Sequence, residues 1–168
     1  MNFLEDLLTT KVSSPVVFCH NDLLLKNIVY FDEPLEGVAF IDFEYADYNY
    51  QAFDIANHFC EFAGVDQFDP SLYPNKEFQR VWLRHYLRRR RQLLRGDIAV
   101  SHELNECDDD DVELDAEVEQ MYSHVRKFTL AAHLFWGIWS LIQVSCVYCL
   151  IRRSFVCRFS GRAFHNQL

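Results

Sequence analysis

The feature that most restricts the fold is a run of 24 residues, 128–151, without Asp, Glu, Lys or Arg. Basic pairs flank this run, Arg126 with Lys127 before it and Arg152 with Arg153 after it. An uncharged run of this length meets the rule for a membrane span, which requires roughly 18 or more mostly apolar residues. A helix buried in a globular domain satisfies the same pattern.

Polar residues within this run favour the buried helix over the membrane span. Four of them interrupt it: His133, Ser140, Gln143 and Ser145. Its aromatic residues lie in the middle of the run, whereas membrane helices concentrate them at the two ends. We therefore expect a helix inside a folded domain and no stable membrane insertion.

Composition limits the class of partner and the compartment. Half of the 168 residues are hydrophobic, which is enough to bury a core. The formal net charge of −9 disfavours a nucleic-acid partner, because phosphate backbones bind clustered positive charge. A small molecule or a cation suits the chain better. The six cysteines have no disulfide-framework spacing and the start lacks a signal-peptide pattern, so we expect a cytoplasmic protein.

Short runs of β-branched and aromatic residues predict three strands, at residues 16–19, 28–31 and 38–41. Pro34 and Gly37 predict a turn that joins the last two strands as a hairpin.

Periodic apolar residues predict helices over residues 51–63 and 75–95, ended by Gly64 and Gly96. The ten acidic residues of the segment 101–119 repel one another and predict a solvated, loose insertion. A third helix is predicted to begin near Glu117 and to continue into the uncharged run.

Two carboxylates follow strand-like runs in the first third of the chain. Asp22 lies in FCHNDLLLKN and Asp42 in VAFIDFEYAD. If those two strands are adjacent, Asp22, Asn27 and Asp42 converge at their ends. Two carboxylates and an amide oxygen suit Mg²⁺, which binds few protein ligands and completes its shell with water and substrate phosphates. The pattern therefore predicts a phosphoryl-transfer site.

Three motifs carry a family resemblance. His20, Asn21, Asp22 and Asn27 form a pattern that resembles the catalytic loop of protein kinases and of aminoglycoside- and choline-type phosphotransferases. Residues 41–62 resemble the choline/ethanolamine kinase signature, and residues 130–143 are similar to a late helix of that family with a Trp-x-x-Trp pair. The resemblance implies an α+β fold: the mostly helical C-terminal lobe of a protein-kinase-like fold, with a short strand pair around the catalytic loop.

The same resemblance implies roles for individual residues. It assigns Asp22 as the catalytic base, Asn27 and Asp42 as Mg²⁺ ligands, and His20 and Asp54 as structural supports of the loop. It covers residues 16–143, preceded by a leader at 1–15 that forms a short helix or frays, and followed by an atypical tail at 144–168. Cys146 and Cys149 in that tail form a lone CxxC pair, which is weak support for a metal or redox site.

The acceptor site follows from the family and from the physics of ammonium recognition. An ammonium gains cation–π energy over aromatic rings and Coulomb attraction from a carboxylate. Tyr45, Glu61, Trp136 and Trp139 fit these roles. The two tryptophans lie three residues apart and share a helix face, although core packing is the commoner fate of helical tryptophans.

The implied function is the ATP- and Mg²⁺-dependent phosphorylation of ethanolamine, the first step of phosphatidylethanolamine synthesis by the CDP-ethanolamine route. The stretch EFAGV after Glu61 favours the ethanolamine branch, because the choline branch tends to place more aromatic residues there. Choline kinase and a non-catalytic pseudokinase fragment are the alternatives, and a homodimer is considered beside a monomer.

One family feature is missing from the sequence. The five glycines are widely dispersed, so no Gly-rich phosphate loop can be built from them. We expect a truncated chain that binds ATP poorly and turns over slowly or not at all by itself.

Overall fold

The computed structural model describes four ranges of the chain, with side chains of the last described for 112–145: residues 12–32, 37–64, 67–96 and 111–163. The chain forms two compact units, Met1–Ala132 and His133–Leu168. The predicted leader helix before residue 12, the turn residues 33–36 and the CxxC side chains lie outside the described parts.

Four short strands form two separate antiparallel pairs. Strand β1 (Val16–Cys19) pairs with β4 (Asp47–Tyr50), and β2 (Ile28–Phe31) pairs with β3 (Gly37–Phe40). The hairpin predicted from the second and third strands is confirmed, with the third strand one residue earlier than predicted. The first and third strands, whose adjacency was the condition for Asp22 and Asp42 to converge, belong to different pairs, because the partner of β1 is the unpredicted β4.

Strand β4 has a weak sequence signal because its tyrosines alternate with Asp47 and Asn49, which are both common in turns. Both polar side chains accept a hydrogen bond from the next backbone N–H, that of Tyr48 and that of Tyr50. Long-range pairing with β1 makes this segment a strand.

Helix α1 (Gln51–Glu61) follows β4 directly and helix α2 (Lys76–Arg95) comes next. Gly64 lies beyond the end of α1 with φ +83°, and a Cβ atom there would approach the carbonyl oxygen of Gln67 to 2.7 Å. The Asn75 side chain caps α2 by accepting from the N–H of Phe78. Gly96 ends α2 in the left-handed conformation, which confirms its predicted role as the C-cap.

Helix α3 (Asp111–Ala163) begins six residues before the predicted start near Glu117. The prediction of a loose acidic insertion is therefore wrong for residues 111–119, while residues 101–110 lie outside the described parts. Leu114 and Val118, four positions apart, are both buried. These two residues form an apolar face on this stretch, although its composition is mainly acidic.

The acidic side chains on this turn of α3 meet the arginines of α2. Ion pairs among the described residues join the two helices: Arg80 with Glu119, Arg84 with Asp115, and Arg90 and Arg91 with Glu117. Ion pairs this exposed contribute about 0.2–1 kcal/mol each, whereas each buried aliphatic side chain contributes about 1.5–3 kcal/mol. Apolar burial therefore dominates the packing, and the ion pairs select which faces meet.

The core of the first unit lies among the three helices and extends to Val12. Its largest fully buried side chains are Phe59 of α1, Leu83 and Leu87 of α2, and Phe128 of α3. Burial along α3 continues as far as Ala132. The prediction of a buried uncharged run therefore holds only for its beginning, since large side chains further on are 42–70% exposed: Leu134, Phe135, Ile138, Leu141, Ile142 and Val144.

Within the described residues, one helical stretch, Val112–Ser145, is long and apolar enough to cross a membrane by length and composition. Of its most apolar 18-residue part, 11% is buried in the structure. Core helices of soluble proteins meet the same criterion, so this finding leaves membrane insertion untested.

Replacement of Phe59 by alanine should lower the free energy of unfolding by about 3–5 kcal/mol, because it removes a fully buried ring that contacts Phe62 and Trp82. Urea titration followed by circular dichroism measures this change. Phe68, which is 71% exposed, is the matched control, and F68A should change stability little. Equal losses in the two variants would contradict the assigned core.

The contribution of His58 to stability should fall as pH decreases below about 6.5. Burial lowers the pKa of His58 below its ordinary value of 6.5, against the opposing hydrogen bond to Leu23 and the charge of Asp54. The unfolded chain then binds the proton more readily than the folded chain, so acid favours unfolding. Urea titrations at pH 7.5 and 5.5 measure the change, and it should be smaller in H58Q than in the wild type. An unchanged pH dependence in H58Q would contradict this assignment.

Candidate active site

A loop of eight residues, 20–27, connects β1 to β2 and is anchored by helix α1. The Asp54 carboxylate accepts the backbone N–H of His20 at 3.1 Å and that of Asn21 at 2.7 Å. Hydrogen bonds to a carboxylate are stronger than neutral ones, so this pair fixes the start of the 20–27 loop. The role of structural support that the family resemblance implies for Asp54 is consistent with these two bonds and stays a prediction.

His20 links the 20–27 loop to the segment that carries Asp42. Its Nε2 donates to the carbonyl oxygen of Ile41 at 2.9 Å. Because a carbonyl can only accept, this contact places the proton on Nε2. The ring also packs against Phe43, with 4.8 Å between centroids. His20 therefore joins the 20–27 loop to the segment that carries Asp42. Its role as a structural support stays a prediction.

Asn27 is buried and holds the far end of the loop. Its Nδ2 donates to the carbonyl oxygen of Asp22 at 2.8 Å and lies 3.4 Å from the Asp22 carboxylate. The backbone oxygen of Asn27 accepts from the N–H of Ile41 at 3.0 Å. Since the amide nitrogen is engaged with Asp22, Oδ1 is the side-chain atom of Asn27 that suits a cation.

Carboxylates gather around Asp22. Burial raises the pKa of Asp22 above its ordinary value, His20 lowers it, and the charges of Asp42 and Glu44 raise it further. Burial also raises the pKa of Glu61, as does the charge of Asp22. Acidic groups of the 20–27 loop, of the segment after β3 and of the end of α1 therefore lie near enough for their charges to act on Asp22 or Glu61, which makes this surface attractive to cations.

Two residues of this region have a left-handed backbone although neither is glycine. Asn21 and Asp42 both have φ +64°. Such conformations cost energy in non-glycine residues and concentrate at functional sites, with Asn and Asp the residues that tolerate them best. The left-handed backbone of Asp42 is consistent with a functional position at which the backbone conformation orients the carboxylate.

The donor set fits Mg²⁺ better than a metal held by protein ligands alone. Within the described ranges there is no group of three or more His, Cys, Asp and Glu side chains that could enclose a metal. Asp22, Asp42 and Asn27 instead offer hard oxygen atoms, and the charge of Asp42 acts on Asp22. Mg²⁺ binds in this way when substrate phosphates and water supply the remaining ligands.

The substrate-binding predictions fall into two groups. Glu61 lies beside Asp22, and the backbone oxygen of Tyr45 accepts from the Asn21 side chain at 2.9 Å, so both belong to this region. Trp136 and Trp139 lie in the second unit, where their rings contact each other edge to face at 5.5 Å. The part of these tryptophans in an amine site stays a prediction.

Sequence reasoning missed several residues of this region. Glu44, two positions after Asp42, could have been found as a further acidic residue of the same motif. Asn49 and Asn57 left no signal, because isolated asparagines are common in turns and helix ends. Only the fold brings them to the 20–27 loop, where both donate to Asn21.

Comparison with known proteins gives a family match along most of the chain. The profile of the choline/ethanolamine kinase family matches residues 1–155. Ethanolamine kinase 2 of Rattus norvegicus is 50% identical over 134 residues, which cover 80% of this chain and 30% of the rat protein. Ethanolamine kinase of Drosophila melanogaster is 50% identical over 132 residues, or 79% of this chain and 22% of the fly protein. The chain thus spans a third or less of the length of these relatives.

Solved structures agree with this match. An ethanolamine kinase from Plasmodium vivax has a TM-score of 0.63 and 33% identity, covering 84% of this chain and 31% of that one. A choline kinase from Cryptosporidium parvum has a TM-score of 0.58 and 28% identity, covering 83% of this chain and 40% of that one. The fold predicted from the motifs is confirmed, and the chain belongs to the choline/ethanolamine kinase family.

Proposed function

We propose that this chain carries the phosphoryl-acceptor part of an ethanolamine kinase, which transfers the γ-phosphate of ATP to the hydroxyl of ethanolamine. The observation that carries the proposal is the group of carboxylates around Asp22, braced by Asn27 and Asp54. The ethanolamine kinases at 50% identity support this substrate. The product, phosphoethanolamine, would enter phosphatidylethanolamine synthesis, and we propose the cytoplasm as the site of action.

Asp22 is the proposed base. Its carboxylate orients the substrate hydroxyl and accepts the hydroxyl proton as the oxygen attacks the phosphorus atom. A general base works best when its pKa approaches the working pH. Burial and the charges of Asp42 and Glu44 raise the pKa of Asp22 in that direction.

Asn27 and Asp42 are the proposed holders of Mg²⁺, through Oδ1 and a carboxylate oxygen. When bound, the ion would offset the negative charge of the ATP phosphates, which phosphoryl transfer requires. The hydrogen bond from Asn27 Nδ2 to the Asp22 carbonyl fixes which end of the amide is available.

Glu61 is the proposed partner of the substrate ammonium, and Tyr45, Trp136 and Trp139 are the proposed aromatic contacts. A primary ammonium has three N–H donors and therefore benefits from carboxylate acceptors, which a quaternary ammonium cannot engage by hydrogen bonds. The half-buried Glu61 beside Asp22 favours ethanolamine over choline for this reason.

Calorimetric titration of the purified chain with ethanolamine and with choline, together with an ATP transfer assay, tests the proposal. Ethanolamine should bind more tightly than choline and should be the preferred acceptor. Choline is the second candidate because a choline kinase is among the similar structures. Tighter binding of choline would identify choline rather than ethanolamine as the substrate. Binding of neither amine would overturn the proposal.

Replacement of Asp22 by asparagine should reduce phosphoryl transfer by about 10²–10⁴-fold, because the shape is kept while the proton acceptor is lost. Radiolabelled ATP gives the sensitivity that slow transfer requires. Asp69, an exposed residue that caps a short turn at Pro70–Leu72, supplies the control D69N, which should transfer phosphate at the wild-type rate. A D22N variant as active as D69N would exclude Asp22 as the base.

Replacement of Glu61 by glutamine should weaken ethanolamine binding about tenfold, because a partly desolvated charge pair is lost. Titration calorimetry measures the dissociation constant directly. Glu77, in the first turn of α2, provides the control E77Q, which should bind ethanolamine as the wild type does. If E61Q and E77Q bound the amine equally well, Glu61 would not contact the ammonium.

A further inference from the structure

Asn21, in the 20–27 loop, is hydrogen-bonded to distant parts of the fold through four of its atoms. It is 92% buried and takes part in bonds through both backbone groups and both side-chain atoms. Its N–H donates to Asp54 at 2.7 Å, and its carbonyl accepts from Asn57 Nδ2 at 3.1 Å. These two bonds attach the residue before Asp22 to helix α1.

The side chain of Asn21 points to a different part of the fold. Its Nδ2 donates to the carbonyl oxygen of Tyr45 at 2.9 Å, and its Oδ1 accepts from Asn49 Nδ2 of β4 at 3.0 Å. The side-chain amide of Asn21 therefore connects the backbone next to Asp22, the proposed base, with the backbone of Tyr45, the proposed amine contact. Both ends of this amide are satisfied, which is the arrangement that makes a buried polar network rigid.

The backbone of Asn21 explains why asparagine suits this position. Most residues with a side chain adopt its φ of +64° only at an energetic cost. Glycine would adopt this conformation easily, but it would not supply the two side-chain hydrogen bonds. Asparagine tolerates the left-handed region and provides one donor and one acceptor at the required places.

We propose that Asn21 is a positioning residue that sets the Tyr45 segment, residues 43–46, relative to Asp22 and so fixes where the amine lies with respect to the base. This role rests on the proposed function for its consequence in catalysis. Its structural part, the attachment of the 43–46 segment to the 20–27 loop, stands on the hydrogen bonds alone.

The test is the variant N21G, in which glycine retains the φ of +64° and only the side-chain bonds are lost. Backbone amides of the 43–46 segment, including the Ala46 N–H bonded to Phe43, should exchange with deuterium about tenfold faster, because the bond to Tyr45 is lost. In the transfer assay the KM for ethanolamine should rise about tenfold while the KM for ATP stays the same.

Asn75 offers a matched control, since it is also an asparagine that accepts a backbone N–H, but at the start of α2. N75A should lower the stability of the chain without changing amide exchange at 43–46 or the KM for ethanolamine. N49A, which removes the brace on Asn21 but keeps the donor to Tyr45, should give an effect between those of N75A and N21G.

The outcomes separate this proposal from the proposed function. Wild-type exchange at 43–46 in N21G would overturn the positioning role, whether or not the chain transfers phosphate. Faster exchange in N21G, together with failure of the wild type to bind either amine, would support the attachment and contradict the kinase proposal. Faster exchange with the KM values for ethanolamine and ATP rising together would overturn the claim that Asn21 positions the amine.

Discussion

The carboxylate of Asp54 is the contact on which the arrangement of the site depends. It accepts the backbone N–H groups of His20 and Asn21, which adjoin the proposed base Asp22. Asp54 lies in the first turn of a helix whose other face forms the core. Its hydrogen bonds therefore attach the 20–27 loop to a rigid part of the fold. A loop of this length would otherwise populate many conformations, and ordering it costs conformational entropy. Core packing and catalytic geometry are thus joined through one side chain.

The network continues from this contact through buried amides rather than through further charges. Asn57 donates to the backbone of Asn21, Asn27 donates to that of Asp22, and Asn49 donates to the Asn21 side chain. Neutral amides brace the loop without adding positive charge that would neutralise the acidic groups. The site therefore keeps its attraction for cations, which suits both a magnesium ion and an ammonium.

Parts of this arrangement could be predicted because their signals are local. The hairpin of β2 and β3 and the glycine that ends α2 follow from turn residues. The bonds from the 20–27 loop to Asp54 agree with the role that the family resemblance implies for this residue. Strand β4 could not be predicted, because its pairing with β1 joins residues about thirty positions apart. The predicted looseness of the acidic start of α3 is wrong, since its charges are compensated by arginines of another helix. Charge repulsion within a sequence says little when the opposite charge comes from elsewhere in the fold.

The sequence by itself determined the chemical groups of the site and the family, because Asp22, Asn27 and Asp42 are set by spacing within two short motifs. Only the tertiary structure decided how those motifs meet, and it did so through pairing of β1 with β4 rather than with β3. It also let the charges of Glu44 and Glu61 act together with that of Asp22, and it placed Asn21 between the proposed base and the Tyr45 segment. The reason is that hydrogen bonds and charges act through space, over distances that spacing along the chain does not encode.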